Sequence, residues 1–152
     1  MAEGVRYAGG WLFDQVLAGW DVTVITAEHC DSRPLRILGV RPRHLGIMVA
    51  APVLGPCLEA VAVRTDLYAQ DERVRRMVLA AAGLGGAEIR LWGDAWPDDF
   101  CDGARPLSHQ LSLAAVAFKE KALAAAAVPA ESATATEVFL RGEVRRSDLV
   151  PT

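Results

Sequence analysis

Apolar positions along this chain change their period several times. In "WLFDQVLAGW", residues 11–20, Leu12, Phe13, Val16, Leu17 and Trp20 recur at helical steps. That spacing predicts a helix with one buried stripe, closed by Gly19, which accepts a left-handed backbone at little cost. The next residues, "DVTVIT" (21–26), are short and β-branched and predict a strand. "PLRILGV" (34–40) reads as a second strand. The stretch between the two is too short for a helical crossover, so the pair is expected to run antiparallel or to lie apart.

Residues 41–51, "RPRHLGIMVAA", suggest a short helix with Pro42 in its first turn. "LEAVAVR" (58–64) is the third expected strand. The clearest helix is expected in "DLYAQDERVRRMVLAAAGLGG", where Val74, Met77, Val78 and Ala81 form the stripe and Gly83 ends it. "AEIRLW" (87–92) is the fourth strand. Residues 107–127 read as a long helix opened by Pro106 and stopped by Pro129. Its expected apolar seam is Leu107, Leu111, Ala114, Phe118, Ala122 and Ala125, with Ser108, Ser112 and Lys119 on the other side.

Strands alternating with helices predict an α/β fold. The expectation is a small three-layer Rossmann-like domain over residues 1–129, with about four mostly parallel (or mixed) strands flanked by helices. Residues 130–152 are expected to be a poorly ordered or docking C-terminal tail.

Composition narrows the class. At 152 residues the chain is long enough for one core without metal or disulfides. With 52% hydrophobic and 23% charged residues, it lies in the globular range. A net charge of −3 argues against a general nucleic-acid or acidic-membrane binder. Fourteen arginines against two lysines, with abundant alanine, point to a GC-rich bacterial genome. Cys30, Cys57 and Cys101 form no C-x-x-C pair, so reduced thiols in a cytoplasmic protein are expected. No signal peptide or bilayer-length apolar run is read in the sequence.

The densest chemistry lies in "LWGDAWPDDFCDG", residues 91–103. In open α/β sheets, ligands gather beyond the carboxyl ends of the strands. Asp66 and Asp94 are expected there, with Trp96 in the adjoining loop. With Asp31 they would offer hard oxygen ligands to a divalent cation, or one carboxylate would act as a general base. Aspartate is equally a turn and cap residue, and that competing reading is the stronger. Arg41 and Arg43, within the run Arg33–Arg43, would hold a phosphate or carboxylate at a helix entry. His29–Cys30–Asp31 is too local for a base to activate a thiol. His44 and His109 read as solitary surface histidines. "AGLGGAE" closes a helix rather than opening one, which excludes a dinucleotide fingerprint.

No catalytic constellation emerges and no cofactor is expected. The leading expectation is a non-catalytic interaction module that binds a protein partner or itself. Its contacts would come from the C-terminal helix and tail, through Leu111, Phe118, Val138, Phe139 and Leu140. The alternative is a small-ligand-binding protein or enzyme with a metal or anion site at Asp66, Asp94, Trp96, Arg41 and Arg43.

Overall fold

The computed structural model describes residues 1–26, 30–44, 60–85, 87–93, 104–129 and 133–142. Helix and sheet are mixed, as in an α/β protein. The elements are α1 (Ala2–Leu17), β1 (Thr23–Thr26), α2 (Arg33–Ile37), β2 (Arg41–His44), β3 (Ala60–Arg64), α3 (Thr65–Gln70), α4 (Glu72–Gly85), β4 (Glu88–Trp92), β5 (Arg105–Gln110), α5 (Leu113–Ala125) and β6 (Thr136–Gly142). The chain divides into two compact units. One comprises residues 1–51 and 108–137, the other 52–107 and 138–152.

The first unit is built on α1, α2 and α5. α1 begins far earlier than its apolar stripe suggests. Its buried residues are Val5, Ala8, Gly9, Gly10, Trp11 and Leu12, while Leu17 and Trp20 stand exposed. The expected stripe through Leu17 and Trp20 is thus displaced by about two turns. The buried end is closely packed: a Cβ at Gly10 would lie 2.3 Å from Leu111 Cδ1, so the approach there needs the glycine. Gly19, at φ +92°, ends the helix as expected. Its amide donates to the Val16 carbonyl, and the Trp20 amide to that of Gln15.

"PLRILGV" is a helix and not the expected strand. Pro34 sits in the first turn of α2, and Leu35 and Leu38, three residues apart, both turn inward. Gly39 closes it at φ +74°. The chain then forms β2 at Arg41–His44, where a helix was expected. This short helix makes the crossover that lets β1 and β2 pair in parallel, Thr23 opposite Arg41 and Thr26 opposite His44. The rest of the expected 41–51 helix lies outside the described residues.

The helix expected from residue 107 begins only at Leu113. Ser112 is its N-cap, and its side chain accepts the Ala115 amide at 3.0 Å. The preceding residues form β5, where exposure alternates and Leu107 and His109 are the less exposed positions. Pro106, read from sequence as a helix opener, sits in a strand at the margin of its sheet, where a missing amide is tolerated.

The second unit contains a sheet of strand order β3–β4–β6–β5. β3 and β4 are parallel, joined through α3 and α4, and β6 pairs antiparallel with β4. The strands therefore fall into two sheets rather than one central layer. Of the expected stripe of α4, Val74, Val78 and Ala81 are buried and Met77 is half-buried, and the helix runs past Gly83 to Gly85. Residues 136–142 of the expected tail form β6, an inner strand of this sheet. β5 and β6 each contribute residues to both units. No helix among the described residues is long and apolar enough to cross a membrane.

Candidate functional site

The residues singled out from sequence fall in different places. Asp94 and Trp96 lie outside the described residues, as do His29, Cys57 and Cys101. Asp66 lies in the first turn of α3, just beyond β3; its Oδ1 accepts the Leu67 amide at 2.7 Å and pairs with the Arg64 guanidinium. Arg41 and Arg43 share one face of β2 by strand alternation, both exposed, and Arg41 pairs with Asp21 at 3.2 Å. Asp31 pairs with Arg33 at 2.7 Å, and the Arg33 guanidinium holds its carboxyl below the usual range. Asp31 and Arg33 border an open hollow of about 250 Å³ between the start of α1 and the end of α5. Among the described residues, no three His, Cys, Asp or Glu side chains gather to hold a metal ion.

Leu111, Phe139 and Leu140 are buried, whereas Phe118 and Val138 are exposed. The Phe118 ring stacks on Phe13 with centroids 4.6 Å apart, and the Lys121 ammonium lies 5.6 Å from the Phe118 centroid.

Sequence reasoning missed two polar clusters in the first unit. In one, Asp14 of α1 meets His109 of β5 and the cap of α5. His109 Nε2 lies 2.9 Å from Asp14 Oδ2, and Ser112 Oγ donates to Asp14 Oδ1 at 2.6 Å. The Ser112 amide donates to the same carboxylate at 3.2 Å. Burial pushes the Asp14 carboxyl up, but the hydrogen bonds from Ser112 and His109 outweigh it and hold the group below its ordinary value. The three residue types match a hydrolytic triad, but their order does not. In such a relay the imidazole stands between hydroxyl and carboxylate. Here the carboxylate stands between the other two, and the Ser112 oxygen already accepts an amide. The cluster is a clamp joining α1, β5 and α5.

The other cluster is an ion pair between Lys119 Nζ and Glu137 Oε1, 2.6 Å apart and sealed from solvent. The Gly10 and Trp11 amides donate to the same carboxylate at 2.9 and 2.8 Å. Burial pushes the Glu137 carboxyl up, against the pull of Lys119 and the two amides. No local signal predicts this pair, because β6 supplies the counter-charge from another part of the chain.

The pair brings Lys119 into the buried face of α5, beside Ala122, which the sequence also places there. Its buried residues are Ala115, Lys119, Ala122 and Leu123. Ala114 and Phe118, expected inside, lie outside, and Lys119, expected outside, is fully buried. The outer face carries Leu113, 91% exposed, together with Ala117, Glu120, Lys121 and Ala124.

No family model, curated protein or solved structure matches this chain.

Proposed function

We propose that the chain is a non-catalytic α/β interaction module that binds a protein through the outer face of α5. The supporting observation is the apolar character of that helix's exposed face. A helix with apolar side chains on all sides is normally covered on all sides. Among the described residues, the fully covered positions of α5 are Ala115, Lys119, Ala122 and Leu123. One exposed leucine is ordinary in a soluble protein. Here Leu113 and Phe118 accompany three exposed alanines, on a helix that takes its own lysine inside at a desolvation cost. Leu111, buried behind the helix start, supports the face without touching a partner. In the second unit Val138 offers a separate apolar contact, while Phe139 and Leu140 are buried. The Rossmann-like reading of the fold is supported by the parallel β3–α3–α4–β4 crossover.

Photo-crosslinking tests the interaction. A benzophenone side chain at position 113 is expected to form a covalent protein adduct in source cells. The same group at Arg76, on the exposed side of α4, is expected to form none. Equal labelling, or no adduct from position 113, overturns the reading.

A further inference from the structure

Resting on that reading, we propose that the protein bound is a second copy of this chain. The two α5 helices run antiparallel about a twofold axis that passes between Glu120 and Lys121. The argument is the chemical order of the outer face. From Leu113 the face runs to small Ala117, acidic Glu120, basic Lys121 and small Ala124, the last four spaced three, one and three residues apart. The spacings are palindromic, and reversal exchanges acid for base.

A twofold contact requires this pattern, because residue i meets residue j while j meets i. Superposing the face on its reverse sets Glu120 against Lys121 of the second copy, twice. Ala117 then faces Ala124, with Leu113 at each outer edge of the contact. The small side chains allow close approach, near the 8 Å end of helix-packing distances. Lys121 is exposed over the Phe118 ring, so its ammonium is on the surface where the second carboxylate arrives. A face that complements itself favours a second copy as its occupant. Thirteen residues of helix span about 20 Å, so the contact is small and reversible.

The test is sedimentation equilibrium of the full chain from micromolar to millimolar concentration. The wild-type chain is expected to show a monomer–dimer equilibrium. E120K and K121E each create two like-charge contacts, and each alone is expected to weaken association at least tenfold. An equimolar mixture of the two variants restores both opposite-charge contacts and is expected to recover near wild-type affinity as a mixed dimer. L113D, which alters a side chain with almost no role in the monomer, is expected to weaken every dimer.

A chain that stays monomeric throughout overturns the proposal. So does a dimer indifferent to both charge reversals, or a mixture that fails to recover. The crosslink from position 113 separates the two levels of failure. An adduct with a different protein sinks the twofold arrangement and leaves the interaction face standing, whereas no adduct sinks both.

Discussion

Lys119 Nζ lies 2.6 Å from Glu137 Oε1, and neither side chain reaches solvent. Replacing Lys119 with methionine leaves the carboxylate buried with only two amides. We expect K119M to lose about 3–5 kcal/mol of unfolding free energy at neutral pH, measured by urea titration. The sign of its pH dependence follows from Glu137, whose carboxyl burial already raises. Removing the lysine raises it further. A raised carboxyl contributes stability that is present below its unfolded value and lost as pH rises through the folded one. The deficit of K119M is therefore expected to shrink toward pH 4. A deficit that stays constant with pH would show that the lysine acts by packing alone.

Asp14 gives the opposite dependence. Its carboxyl is lowered in the fold, so its contribution is present above the unfolded value and lost as pH falls through the folded one. D14N is expected to cost about 1.5–3 kcal/mol near neutrality, the range for hydrogen bonds to a charged group. The two proteins are expected to converge in stability below about pH 4. Acid-unfolding curves of the pair are the measurement.

Gly10 is a steric requirement of the α1–α5 region. A Cβ there would meet Leu111 Cδ1 at 2.3 Å and Cγ at 2.9 Å. G10A is expected to destabilise by about 1–3 kcal/mol through overpacking. Adding L111A makes room for the new methyl group. The double variant is expected to fall short of the sum of the single losses, which a double-mutant cycle reads directly.

Ala127 adopts φ +57°, the only positive φ at a non-glycine among the described residues. It closes α5 in the manner that glycine closes α1 and α2. A127G relieves the contact of its Cβ and is expected to add about 1 kcal/mol, seen as a higher Tm. A drop in Tm would mean that the loss of backbone entropy outweighs the relief.

Local features were legible wherever short-range chemistry governs. Gly19 stops α1, and the stripe Val74, Val78, Ala81 is the buried side of α4. Longer-range features were not. "PLRILGV" carries apolar residues at both strand and helix spacing, and the packing of Leu35 and Leu38 selects the helix. "RPRH" has no apolar alternation at all, and its strand exists through pairing with β1. The facing of α5 depends on Glu137, eighteen residues downstream of Lys119. The Asp14–His109 pair joins residues 95 positions apart. Such contacts leave no periodicity at either end, so the clamp and the buried pair emerged only from the fold. Of the ligand residues expected at the strand ends, Asp66 is held by its own neighbours Arg64 and Leu67.

β6 gives Thr136 and Glu137 to one unit and Val138–Gly142 to the other. During synthesis, therefore, neither body can reach its final form early. The helical part must wait, with an uncompensated lysine and two waiting amides, until residue 137 has left the ribosome. The sheet lacks an inner strand until the residues after it have followed. Most domains settle one after another from the amino end. Here one seven-residue strand completes both halves, so each matures only after it has been made.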